Sequence, residues 1–304
     1  MIQNTRTYRH LLAAVLASGL ATQSNAQHAD FVLFGESDPA FEAQTDEQTF
    51  VNPITAGYYH ENSFITSDVR AWYIYHQFDN DGVANGGIGG NAQIAAVQVR
   101  LALTDRLQFV AYKDGYAWFD DSAVNDEGWN DVAAGLKYNF YRDIENQLYM
   151  SAGLGYQIDL GDSAVLQDDE LLRIWFSADK GFDELHIGGT FNYFHAVDTE
   201  SSLGNSDTIS WHLHADYYLT DWFSPVIELN GYHTVEEGTV FVPFSGVDVA
   251  NLGGGEGEDV VTLGIGGEFR VLDNVDIRAA YEFGLTDNRQ LFGDRLTFSL
   301  VYSF

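Results

Sequence analysis

The sequence predicts an all-β chain folded as a closed antiparallel transmembrane β-barrel of about 12 strands. Three observations carry that prediction. Apolar residues alternate along segments of about ten residues, the length a tilted membrane-crossing strand needs. Short and long connections follow one another in strict alternation. The composition is β-rich, with 21 Phe, 17 Tyr, 6 Trp and 30 Gly against only 4 Pro in 304 residues. Cysteine is absent, which excludes disulfides and thiolate metal sites. The net charge of −31 argues against a nucleic-acid partner, because phosphate contacts need clustered Lys and Arg. No run of 18 apolar residues is long enough for a helical span, so a closed barrel is the remaining way to cross a membrane.

The elements follow in order. Residues 1–26 read as a secretory signal peptide. Arg6, Arg9 and His10 precede the apolar stretch 11–20, and "SNA" at 24–26 offers small residues at the −3 and −1 positions of a cut. Residues 27–65 hold seven acids and no Lys or Arg. They form either a periplasmic arm or a partial plug of the lumen. The arm is preferred, although Phe31, Phe34, Tyr58 and Tyr59 are more aromatic than a linker requires. The barrel occupies 66–304, with strands near 67–78, 92–103, 107–117, 131–141, 147–158, 171–179, 184–196, 208–219, 223–234, 259–271, 274–286 and 295–304. The third stumbles at Lys113-Asp114-Gly115, where a bulge is expected. Five connections are tight (104–106, 142–146, 180–184, 220–222, 272–274). Six are longer (79–91, 118–130, 159–170, 197–207, 235–258, 287–292), as expected of periplasmic turns and extracellular loops.

The signal-like start, the alternating strands and the closing "RLTFSLVYSF" together resemble Gram-negative outer-membrane β-barrels of the porin-like channel class. The resemblance covers residues 66–304. It implies that Phe298, Leu300, Tyr302 and Phe304 are the signal read by the barrel-assembly machinery. It also implies a multi-pass outer-membrane location amid lipid and lipopolysaccharide.

The six long loops and their margins carry 23 acids against one base, Arg289. Dense surface charge tolerated in a salty habitat explains this. So does binding of divalent cations that bridge to lipopolysaccharide, since Ca²⁺ favours carboxylate oxygens. Parity along the strands turns Arg70, Arg100, Lys137, Arg173, Arg270, Arg278 and Arg295 inward, with Asp216, Glu228, Glu268, Asp276 and Glu282. A base facing lipid at mid-membrane would cost ~2–4 kcal/mol, which is why these line the lumen. The set reads either as a structural network of paired charges or as a transverse field across a narrow pore.

In "SWHLHAD" (210–216), Ser210, His212, His214 and Asp216 share the inward face. Two imidazoles at i and i+2 lie ~7 Å apart along a strand, so His212 and His214 need a third ligand, such as His186, to share a metal. A Ser-His-Asp hydrolase is disfavoured, since one strand does not by itself build nucleophile, base and orienter. "GGEGEDVVT" (254–262) matches one copy of a calcium β-roll repeat, with Glu256 and Asp259 as donors. Stacked copies are needed to complete such a site, and a loop leading into a strand explains the segment equally. A loop-bound Ca²⁺ is therefore the one cofactor the sequence admits. Tyr73, Tyr75, Tyr138, Phe140, Trp211, Tyr217, Trp222, Tyr281 and Phe283 are expected to form girdles at the membrane interfaces. The expected function is a narrow passive channel for small solutes, not an enzyme. The alternatives are a structural, adhesive or cation-binding barrel and, behind it, a lipid- or peptide-cleaving enzyme.

Overall fold

The structure, a computed structural model, describes residues 29, 31–80, 89–121, 123–167, 170–197, 206–238, 245–257, 259–287, 289 and 291–304. The expected signal peptide lies outside them. Fourteen strand segments follow one another: β1 (Asp68–Phe78), β2 (Asn91–Ala102), β3 (Leu107–Lys113), β4 (Tyr116–Asp120), β5 (Asn125–Trp129), β6 (Val132–Asp143), β7 (Leu148–Ile158), β8 (Leu171–Phe182), β9 (Leu185–Ala196), β10 (Asp207–Tyr217), β11 (Phe223–Glu236), β12 (Val260–Leu272), β13 (Val275–Gly284) and β14 (Phe292–Ser303). Every pairing between them is antiparallel. Ala71 of β1 faces Val97 of β2 on one side and Leu300 of β14 on the other, so the sheet closes into a ring with no free edge. Because β3 and β4 share one wall position, and β5 and β6 another, the ring has 12 wall strands.

The break between β3 and β4 falls where the alternation stumbles. Gly115 has φ +117°, a conformation that favours glycine, and a Cβ there would lie 2.7 Å from the carbonyl oxygen of Ala95. The Asp114 carboxylate accepts from the Val97 backbone N–H at 3.0 Å, filling the gap in the ladder. One expectation is corrected here. Residues 118–130 are not an open loop, because β4 and β5 carry the hairpin through most of it. Tyr116 packs on Trp118 at 4.9 Å and on Trp129 at 5.2 Å, and these aromatic contacts prolong the pairing. Where the two strands meet, Asp121 N–H donates to the Val124 carbonyl at 3.0 Å.

Parity sorts the wall into two surfaces. Leu136, Leu154, Ile174, Ile187, Leu213, Ile227, Ile265 and Phe298 are exposed on the outer face. Their chain neighbours Lys137, Arg173, His186, His212 and Glu228 are buried on the inner one. Tyr73, Tyr138, Phe140, Tyr217, Trp222 and Tyr281 are also exposed outward. Phe298 and Leu300 join this outer band, while Phe304 sits at the short-turn rim with its ring 6.0 Å from Phe31. Inside, large and small residues interdigitate: the buried Trp175 ring fills the space over Gly153, where a Cβ would meet it at 2.1 Å.

Candidate functional site

The interior is filled. Composition prefers an arm for residues 27–65, but the stretch 50–67 lies inside the wall and is buried throughout. It forms a hairpin that enters at the short-turn rim. Phe50 and Phe64 pack together there at 4.9 Å, both against Tyr149. On the rising limb, Val51 N–H donates to Asp216 at 3.2 Å, and Ile54 N–H and Thr55 N–H donate to Glu228 at 2.9 and 2.6 Å. The tip turns at Ala56, whose φ of +51° is rare for a residue with a side chain. Tyr59 and His60 N–H groups close the turn on the Ala56 carbonyl. On the descending limb, Arg173 donates to the Tyr58 and Tyr59 carbonyls at 3.0 and 2.7 Å. Glu61 meets Arg100 and Lys137. Ser63 N–H donates to Asp179 at 2.7 Å, and Asn139 donates to the Ser63 carbonyl at 2.9 Å.

A second insertion descends from the long-loop rim. Residues 245–250 are buried, as is Leu252, and Asp248 is clamped by both terminal nitrogens of Arg295. Between the hairpin tip and this loop lies an apolar block that includes Tyr58, Tyr59, Trp72, Phe194, Tyr232, Val247 and Leu252. The ion pairs of the hairpin thus lie on the short-turn side of this apolar block, and the Asp248–Arg295 pair lies on its long-loop side.

The sequence-derived charges take distinct partners. Arg70 holds Asp68 at 2.7 Å. Arg173 pairs with no carboxylate among the described residues; its guanidinium lies 4.6 Å from both the Tyr112 and Trp175 rings. Arg278 pairs with Glu268 at 2.9 Å through Nε, and its two terminal nitrogens have no partner among the described residues. Arg270 is 3.6 Å from Glu268 and donates to Ser224, with Asp276 opposite it in the ladder. Both are only partly buried. Glu282 accepts from Asn230 at 2.8 Å and lies 3.6 Å from Arg295. Parity reasoning passed over Asp68 and Asp179, although each shares the face of an inward arginine on its own strand. Glu61 and Asp248 lie in irregular segments, where no period marks them.

The histidines are used by hydrogen bonds. His214 sits between Glu228 at 2.7 Å and Asp216 at 3.0 Å. His186 bonds Asp216 at 2.7 Å and stacks on Phe50. Asn230 donates to Thr55 and Glu282, so its oxygen faces His212, placing the imidazole proton on Nδ1. His212 Nε2 then accepts from the Ser210 hydroxyl at 2.9 Å, and Ser210 accepts from Asn192, whose own oxygen accepts from Arg173. A one-way relay of hydrogen bonds thus crosses β8, β9, β10, β11 and β13, from the cation Arg173 to the carboxylate Glu282. Ser210, His212 and Asn230 have the order of nucleophile, base and orienter. The orienter is an amide, and all three are buried beneath the hairpin. Among the described residues no group of three His, Asp or Glu side chains is placed to hold a metal. In the long loop, Asp259 is engaged by His233 at 2.7 Å, and Glu256 N–H donates to Glu237 at 3.2 Å.

A closed ring, apolar outside and charged within, defines the architecture. The chain is a closed antiparallel β-barrel. No protein-family profile and no curated protein matches it. Among solved structures, the NanC porin is similar at 10% identity over 78% of this chain and 98% of its own, with TM-score 0.47. The KdgM porin gives 12% identity over 77% and 99%, with TM-score 0.45. The translocator domain of the autotransporter NalP from Neisseria meningitidis gives 14% identity over 79% and 88%, with TM-score 0.46. The assignment to a barrel rests on this chain's own strand ladder.

Proposed function

We propose that the protein is a gated channel for small solutes, with the hairpin 50–67 as its gate and the closed state as the one described. One observation carries this reading: the hairpin meets the wall through hydrogen bonds and ion pairs. A lumen filled only for stability is better served by apolar residues, since replacing a buried ion network by them is often neutral or stabilising by ~1–4 kcal/mol. A charged inner wall suits an interior that also exists wet. Twelve strands fall between the eight of a side-chain-filled barrel and the sixteen or so of an open porin, which suits a narrow path once the gate withdraws. Apart from its continuation into β1, the hairpin is held by non-covalent contacts, since the chain has no cysteine to crosslink it.

The test is a removable lock. The chain has no cysteine, and Ser63 touches Asp179 side chain to side chain, so Ser63→Cys with Asp179→Cys introduces one disulfide between gate and wall. In planar bilayers the reduced protein shows discrete openings and the oxidised protein is silent. Equal conductance in both forms disproves gating by this segment. Silence of every form, including the unsubstituted chain, supports a purely structural barrel.

A further inference from the structure

The hairpin sets one of its own carboxylates, Glu61, against two buried cations of the wall. The Glu61 carboxylate is 1% exposed. Arg100 reaches both its oxygens, Nε at 3.3 Å from Oε2 and Nη2 against Oε1, and Lys137 Nζ lies 3.8 Å from Oε2. Arg100 and Lys137 are themselves 1% and 0% exposed, so this is a built site and not a surface cluster.

The two sides of the lumen differ in what they lose when the hairpin leaves. On β10–β13 the wall is self-sufficient: Glu228 keeps His214, Asp216 keeps His186 and His214, Glu282 keeps Asn230, and Glu268 keeps Arg278. On β2 and β6 it is not. Both hydrogen bonds of Lys137 go to Asn62 and its ion pair to Glu61, all within the hairpin. Among the described residues Arg100 keeps the Gln98 amide oxygen at 3.2 Å and, opposite it in the ladder, Asp68, which Arg70 already holds. Arg173 on β8 loses the Tyr58 and Tyr59 carbonyls and keeps Asn192. Among the described residues the wall acid stripped at the same time is Asp179, whose hairpin partner is Ser63. It lies four residues along β8 from Trp175, which faces Gly153 and through it Lys137 in the ladder. Withdrawal therefore uncovers buried cations that need an anion, flanked by donors left without acceptors.

Resting on the gated-channel reading, we propose that Arg100 and Lys137 form the selectivity site for a small organic carboxylate bearing further acceptor oxygens. Such a solute takes the place of the Glu61 side chain, and that exchange favours the open state. A ligand shifts a two-state equilibrium only through its differential affinity, and here the site is free only when the hairpin is out. A forked guanidinium beside an ammonium recognises a carboxylate better than a hydroxyl.

The experiment compares two open-chain solutes of similar size, gluconate and sorbitol, entering proteoliposomes of the full chain, with valinomycin present to balance charge. Gluconate enters faster than sorbitol in the unsubstituted protein. Glu61→Gln raises entry of both. Adding Arg100→Gln and Lys137→Gln to Glu61→Gln lowers the gluconate-to-sorbitol ratio about tenfold, the weight of a buried charge-assisted hydrogen bond. Lys137→Gln alone is the milder variant, retains Arg100 to seat Glu61, and must also lower the ratio. Folding of each is verified by heat-modifiable gel mobility. If Glu61→Gln opens the channel and the ratio does not respond to either set of substitutions, the carboxylate site is wrong and the channel stands. If folded protein admits neither solute in any variant, the channel and the site fall together.

Discussion

Thr55 presents both its backbone N–H and its hydroxyl to one oxygen of Glu228, the former at 2.6 Å. The same carboxylate accepts from Ile54 N–H and holds His214, so it fastens the rising limb to β11. Glu228→Gln keeps the volume but turns one acceptor into a donor facing N–H groups. It should weaken seating by about 1–3 kcal/mol, the cost of an unsatisfied buried polar contact. The expected outcome is a several-fold higher open probability in single-channel recordings. Unchanged gating would show that this carboxylate serves the wall alone.

Leu154 is 55% exposed on the outer face of β7. Leu154→Arg places a charge toward hydrocarbon and should destabilise the barrel by ~2–4 kcal/mol if the position is near mid-membrane. Urea unfolding in lipid vesicles measures this. A change below half a kcal/mol, on the order of ordinary surface substitutions, would mean that this face does not meet lipid.

The contact between Gly153 and Trp175 tests the inner packing. With a Cβ meeting the indole at 2.1 Å, Gly153→Ala forces the ring to move. Overpacking of this kind costs ~1–3 kcal/mol. Trp175 stacks on Arg173, so the emission of this tryptophan should shift as well. A variant of native stability and native spectrum contradicts the described packing.

Ser210 offers a check on the enzyme alternative. It bonds His212, but the hairpin covers it and an amide stands behind the imidazole. A serine-directed organophosphonate should leave the full chain unlabelled. Labelling abolished by Ser210→Ala would instead make the relay a reactive triad.

Period-two alternation carried most of what could be read in advance. It placed Arg100, Lys137, Arg173 and Glu228 inside, because successive residues of a strand alternate between its two faces and a charge is costly on the lipid-facing one. The bulge was legible because Lys113-Asp114-Gly115 breaks the period and supplies a glycine. The extent of the β4–β5 hairpin was not, since Trp118 and Trp129 follow no lipid-facing pattern beyond the band. The filling of the lumen was least legible. Residues 50–67 form neither helix nor strand, and they are held by partners such as Glu228 and Arg173 that lie more than 110 positions away. Local pattern carries no record of such partners, and charge counting could assign Glu61 only to an acidic tail.

His76 of β1 and Arg295 of β14 hydrogen-bond at 3.1 Å across 219 positions of chain. Their strands form the seam that completes the ring. The other ladder contacts join near neighbours in sequence, so loop entropy makes this seam the slowest to find its register. The hairpin 50–67 runs directly into β1, and Asn52 accepts from Arg70 of that strand. A nascent sheet whose first strand already carries its own stopper would zip shut around it, so the freshly inserted protein would never pass through an unguarded hole.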